Sequence, residues 1–300
     1  MTEKKALKTE SGLSLYHPLV SFGYFVAVIA GTLLFIHPLF VLISLVCAFI
    51  ATALINGKKA AFMALCFGIP MFIFIAVANP VFNHRGATIL FYLFDNPITK
   101  EAIIYGIVSA GMMFAAVIWF TCYNTVVTSD KFIYIFGRIL PSVALIISMT
   151  LSLIPRLMAQ IKIIADTQRS IGLDWKSGSL MHRIRSGARI LSILVSWALE
   201  DAVITADSMR ARGYGQHKRS TFSIFRFGKR DAFMMAVIVF LFAAEVFAYI
   251  SGRGTMEFYP AIIVPKIDFI DIIIYILYIM LGILPAVIQI KEDIKWKRLK

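Results

Sequence analysis

The chain has 300 residues, of which 59% are hydrophobic and only 16% charged, with a formal net charge of +13. A soluble domain carries roughly 25% charged residues, so the composition excludes an ordinary soluble enzyme and points to an integral membrane protein. The basic excess would suit a nucleic-acid binder, but its distribution along the chain does not.

Lys4, Lys5 and Lys8 open the chain like the basic start of a signal peptide. The apolar stretch behind them is of span length and lacks a small-residue cleavage site, so no cleavable signal is expected. Apolar runs approaching the ~20 residues that cross a bilayer lie at 20–36, 39–55, 61–78 and 102–123. His37-Pro38 is the tight outer turn between the first two. Two further runs lie at 232–250 and 269–290. Each must be helical, because lipid offers the backbone no hydrogen-bond partner. Cys47, Cys66 and Cys122 have no ligand spacing and read as buried apolar fillers. The histidines are scattered and suggest no metal site.

Between Asn124 and Arg230 the chain stays on one side for a length too great for a plain connection. Residues 132–154 are nearly as apolar as a span but are interrupted by Gly137, Arg138 and Pro141. A single crossing there would put the basic C-terminal end outside. A shallow or partly buried helix packed under the spans is therefore expected. A helix follows at 155–170, with Pro155 in its first turn. A longer one follows at 182–212. Ile184, Ala188, Leu191, Val195, Ala198, Ala202, Thr205 and Met209 form a near-heptad stripe, which predicts packing against another helix. Glu200, Asp201 and Asp207 lie among its polar positions.

The expected class is thus an all-α integral membrane protein with about six transmembrane helices and a cytoplasmic insert between spans four and five. Residues 1–124 form a four-span region, 125–230 the cytoplasmic helical region, and 231–300 a two-span region with a basic tail. With the N-terminus inside, 26 of the 30 Lys and Arg fall on the cytoplasmic side. Only Arg85, Lys100, Arg253 and Lys266 fall outside. That is the positive-inside pattern, so the basic excess reports topology. The expected location is the cell membrane, with both termini cytoplasmic.

The long helix ends in Met209-Arg210-Ala211-Arg212-Gly213-Tyr214. Cations suit a helix C-terminus, and Gly213 can take the left-handed cap position. The pattern nearly recurs at Gln168-Arg169-Ser170-Ile171-Gly172. Arginine's planar fork suits carboxylates and carbonyls in a partner's groove.

These residues resemble the transmembrane T component of energy-coupling factor (ECF) transporters, modular uptake systems for vitamins and trace metals. Ala211-Arg212-Gly213 is an intact copy of that family's Ala-Arg-Gly triplet. The loop Asn79-Pro80-Val81-Phe82-Asn83-His84-Arg85-Gly86, and Asn96-Pro97-Ile98-Thr99 after it, also look like this family. The first arm departs: Ile171 stands where the family commonly has arginine, and Arg169 lies two residues upstream. Either Arg169 takes the docking role or this arm grips through apolar contact.

The resemblance implies a non-catalytic coupling subunit with two ATP-binding-cassette ATPases as partners. Each ATPase would hold one helix end, through Gln168, Arg169, Ser170, Ile171 and Gly172 or through Arg210, Ala211, Arg212 and Gly213. ATP and magnesium would sit on those partners, and this chain would bind no cofactor. A separate substrate-binding membrane subunit would receive the motion. The chain shows no Walker lysine loop, no HExxH and no nucleophile–base set. A self-contained secondary transporter or channel is the rival reading. Glu245, the one acid well within a predicted span, sits near its outer end and within snorkelling reach.

Overall fold

Two His-Pro pairs set where the first helices begin. Proline fixes a helical φ at the first position and needs no hydrogen-bond partner there. The histidine before it caps: Nδ1 of His17 accepts the Leu19 N–H, and Nδ1 of His37 accepts the Leu39 N–H, each at 3.3 Å. Those two scattered histidines are therefore helix caps.

The computed structural model describes residues 12–93, 96–137, 140–173, 179–216, 225–263 and 268–298. Sequence readings at Lys4, Lys5, Lys8, Arg138 and Lys266 lie outside these residues. The described helices are α1 Pro18–Leu34, α2 Pro38–Ile55, α3 Lys58–Phe82, α4 Lys100–Val126, the short α5 Ser129–Gly137, α6 Pro141–Ser170, α7 Leu180–Ala211, α8 Lys229–Ile250 and α9 Phe269–Arg298. One antiparallel hairpin, β1 Ile89–Leu93 with β2 Asn96–Thr99, interrupts the helical pattern. Contacts divide the chain into a membrane unit, 1–132 with 225–300, and a second unit, 133–224.

In the membrane unit the core lies where α1, α2, α4, α8 and α9 converge, around Tyr24, Phe25, Trp119 and Leu281. Lipid tails are as apolar as leucine, so close packing and internal hydrogen bonds hold such a bundle. Trp119 Nε1 donates to Ser44 Oγ at 3.1 Å, and Ser44 Oγ lies 2.8 Å from Thr32 Oγ1. Each bond of this kind contributes roughly 0.6 kcal/mol. Helix α3 packs mainly on α4, where the Phe114 ring occupies the space that a side chain at Gly68 would need. Its other faces leave Phe62, Phe67 and Phe74 exposed, as a lipid-facing helix requires.

Six described helices are long and apolar enough to span a membrane: α2, α3, α4, α6, α8 and α9. α1, at 17 residues, is shorter. Hydrogen bonds tie several helix ends together at one end of the membrane unit. Lys131 Nζ donates to Val126 O at the end of α4 and to Ser14 O before α1, at 3.0 and 2.9 Å. Asp231 in the first turn of α8 accepts the His17 N–H at 3.0 Å, and Gln289 in α9 accepts the Gly12 N–H. So α4 ends at the same end of the bundle where α1 and α8 begin. Within the membrane unit, α1, α2, α3, α4, α8 and α9 are the helices that run between the two ends of the bundle. Asn83 Nδ2 to Tyr259 OH, 2.9 Å, and Ala87 N to Pro260 O, 2.9 Å, close the opposite end.

Several sequence expectations are corrected. No new helix starts at Pro155; α6 runs unbroken from Pro141 to Ser170 with Pro155 inside it. Proline costs an internal bond, but the turns on either side carry the helix through. Cys66 is exposed on α3, although Cys47 and Cys122 are buried. Glu245 does not snorkel. It falls in register with Ile238, Leu241 and Ala248 on the buried face of α8 and is 1% exposed. Its carboxyl lies between Gly31 of α1 and Tyr278 of α9.

Candidate partner-docking site

The second unit is built on two helices. Ile164 of α6 packs with Ile190 and Leu194 of α7, with Leu157, Ala165 and Trp197 around them. Arg156 Nη1 lies 3.8 Å from Asp201 Oδ2. As numbers rise along α6, from 156 to 164, its partners on α7 fall, from 201 to 190. The helices are therefore antiparallel, and their C-terminal ends point apart. At 1.5 Å per residue the two ends are roughly 40 Å from one another.

The seam on α7 differs from the predicted stripe. Ile184, Leu191 and Val195 are exposed, whereas Ser186, Ile190 and Leu194 are buried. The packing face is thus turned by about one residue. Asp201 belongs to it because Arg156 provides the opposite charge. The exposed apolar residues form a second face on α7 that α6 does not cover.

The two ends share one cap. At the first, Gly172 takes φ +79°, its N–H reaches Arg169 O at 3.0 Å, and Leu173 N–H reaches Gln168 O at 3.0 Å. At the second, Gly213 takes φ +75°, its N–H reaches Arg210 O at 2.9 Å, and Tyr214 N–H reaches Met209 O at 3.1 Å. Both are Schellman caps, in which a left-handed residue lets two amides turn back to the last carbonyls. Only glycine adopts that conformation without steric cost.

The shared cap aligns the arms residue by residue. Gln168 corresponds to Met209, Arg169 to Arg210, Ser170 to Ala211, Ile171 to Arg212, and Leu173 to Tyr214. Gln168 and Met209 are half-buried, while Arg169, Arg210, Ile171 and Arg212 are exposed. Arg169 is thus the counterpart of Arg210 rather than of Arg212. At the Arg212 position the first arm presents Ile171, 64% exposed. The sequence held the signal: each arm has arginine three residues before its glycine.

The nine singled-out residues do not form one cluster. They form two like ends at opposite extremes of an antiparallel pair. Within the membrane unit, the Asn79–Gly86 stretch proves to be a clamp. Asn83 reaches Tyr259, and the Arg85 carbonyl accepts the Thr99 hydroxyl at 3.0 Å. Burial holds the Tyr259 phenol above its usual range.

The cobalt transport protein family, CbiQ, matches residues 17–223, which take in four of the spans and both arms. The chain belongs to this family. The CbiQ-family match ends before α8. The chain is also similar to the energy-coupling factor transporter transmembrane protein EcfT of Lactobacillus helveticus, 33% identical over 100 residues, or 33% of this chain and 36% of that protein. EcfT of Bacillus selenitireducens is 34% identical over 106 residues, 35% of this chain and 39% of that one. EcfT of Streptococcus equi is 26% identical over 173 residues, 54% and 64% of the two chains. The matches thus span between 36% and 64% of these relatives' own lengths. The likeness to ECF T components read from the arms and loop is borne out.

Proposed function

We propose that this CbiQ-family chain is the coupling subunit of an ATP-driven uptake transporter for vitamins or trace metals. The observation that carries the reading is the pair of identically capped helix ends at opposite extremes of α6 and α7, one carrying the intact Ala211-Arg212-Gly213 triplet. Two ATP-binding-cassette subunits each hold one end, Gln168–Gly172 or Arg210–Gly213. They bind the ATP and magnesium, and they approach and part through the hydrolytic cycle. Because α6 and α7 are joined by a packed seam and the Arg156–Asp201 pair, movement of the ends changes the angle of the pair. A separate substrate-binding membrane subunit receives that motion. The chain lies in the cell membrane with the Lys- and Arg-rich end of its bundle in the cytoplasm.

Glu245 supports the rival reading of a self-contained carrier, since ionisable groups inside spans often mark transport paths. Against it, this carboxyl is enclosed by packed side chains rather than facing a channel. Affinity purification from native membranes separates the two. A coupling subunit brings ATPase subunits with it, and charge reversal at Arg212 lowers their yield. A carrier comes alone and supports uptake after the ATPase genes are removed.

A further inference from the structure

Helix α9 is longer than a bilayer requires. Residues 269–290 already span about 33 Å at 1.5 Å per residue, against a hydrocarbon core of about 30 Å. The remaining turns, through Arg298, project beyond it. Along one face, exposed Ile276, Met280, Ile283 and Val287 give way to Lys291, Lys295 and Arg298. Those three cations follow at steps of four and three, so they form a row on that face. Ile294 lies on the same face at 47% exposure, and Trp296, 53% exposed, lies at the same level on another side of the helix. Tryptophan with one apolar and one wet side is characteristic of the headgroup level.

The start of α8 joins this end. Arg230 Nη2 lies 3.6 Å from Glu292 Oε1, and its guanidinium sits 4.0 Å over the Tyr16 ring. Lys229 beside it is exposed. The nearby acids form no ion pair with the row. Asp231 is 9% exposed and accepts the His17 and Gly228 amides. Glu292 is taken by Arg230, and Asp293 accepts from Gln289 Nε2 at 3.4 Å. Among the described residues no carboxylate lies within ion-pair reach of Lys291, Lys295, Lys297 or Arg298.

We propose that the projecting end of α9, with the start of α8, is a binding site for an anionic phospholipid headgroup of the adjoining leaflet. Lys291, Lys295 and Arg298 contact the phosphate and its neighbours, while the acyl chains lie along Ile276, Met280, Ile283 and Val287. Continuity decides for lipid over an acidic protein. The cationic row is the direct extension of the face that the bilayer already covers.

The test is native mass spectrometry of the full-length chain in detergent, with equal phosphatidylglycerol and phosphatidylcholine added. The wild type should retain phosphatidylglycerol preferentially, and raised salt should weaken the preference. Replacing Lys291, Lys295 and Arg298 together by Gln should cost roughly fivefold per cation removed. Lys58→Gln with Lys59→Gln, at the same end of the bundle, should leave the preference intact. Four outcomes overturn the proposal. The wild type ignores headgroup charge; the triple variant keeps its preference; the Lys58/Lys59 control loses as much; or inorganic phosphate displaces the lipid, which makes the site one for free phosphate. A triple variant that binds lipid normally but loses a co-purifying protein assigns the surface to an acidic partner instead.

Discussion

The carboxyl of Glu245 on α8 packs directly over Gly31 on α1, in the space that a β-carbon at Gly31 would fill. Neither carboxyl oxygen has a hydrogen-bond partner among the described residues. Glycine is what lets the two helices cross with an acid between them. Gly31→Ala should therefore destabilise the membrane unit by about 1–3 kcal/mol through overpacking. Glu245→Met, similar in volume and free of the unsatisfied oxygens, should leave stability unchanged or raise it by about 1–3 kcal/mol. Thermal unfolding of both variants in detergent checks this. A large loss in Glu245→Met would show that the carboxyl makes a favourable contact.

The cap alignment makes the arms unequal. Arg212→Ala should weaken ATPase binding and coupled uptake clearly more than Arg169→Ala, because Arg169 stands at the Arg210 position. Arg212→Glu should cost roughly 2–5 kcal/mol of docking free energy, the usual loss for a buried, hydrogen-bonded charge contact. Membrane insertion should be unaffected. Equal losses at Arg169 and Arg212 in a pull-down titration would reject the asymmetry.

Both caps depend on a left-handed glycine. Gly172→Ala and Gly213→Ala should each cost about 1–2 kcal/mol at the helix end and fray it. If the ends are the grips, ATPase affinity should fall at either position while the arginines remain in place. Gly187→Ala, inside α7 with open space around it, serves as the neutral control. Unchanged affinity in both cap variants would mean that the cap geometry is not what the partners read.

The Lys and Arg distribution predicts the topology. Single cysteines replacing Lys58 and Lys295 should be labelled from the cytoplasmic side, and those replacing Arg85 and Gly252 from outside. Positions 141 and 170 should both label from the cytoplasm. A reagent that reaches position 295 only from outside would overturn the six-crossing arrangement.

The sequence by itself determined the class, the crossings and the arm motifs. Apolar runs of span length must become helices in lipid, and basic residues collect at one end, so 39–55, 102–123, 232–250 and 269–290 were legible as spans. Gly213 was legible as a cap because few other residues tolerate a positive φ, and the structure shows Gly172 in the same role. Periodicity could not decide the rest. That Lys131 ties the end of α4 to Ser14, and the first turn of α8 is tied to His17, at one end of the bundle was visible only in the tertiary structure. The seam on α7 lies about one residue from the predicted stripe and includes half-buried Asp201, 3.8 Å from Arg156. Glu245 looked able to snorkel until α1 and α9 closed over it. Whether a polar group faces solvent, lipid or a partner depends on residues distant in sequence, and only tertiary packing brings those together.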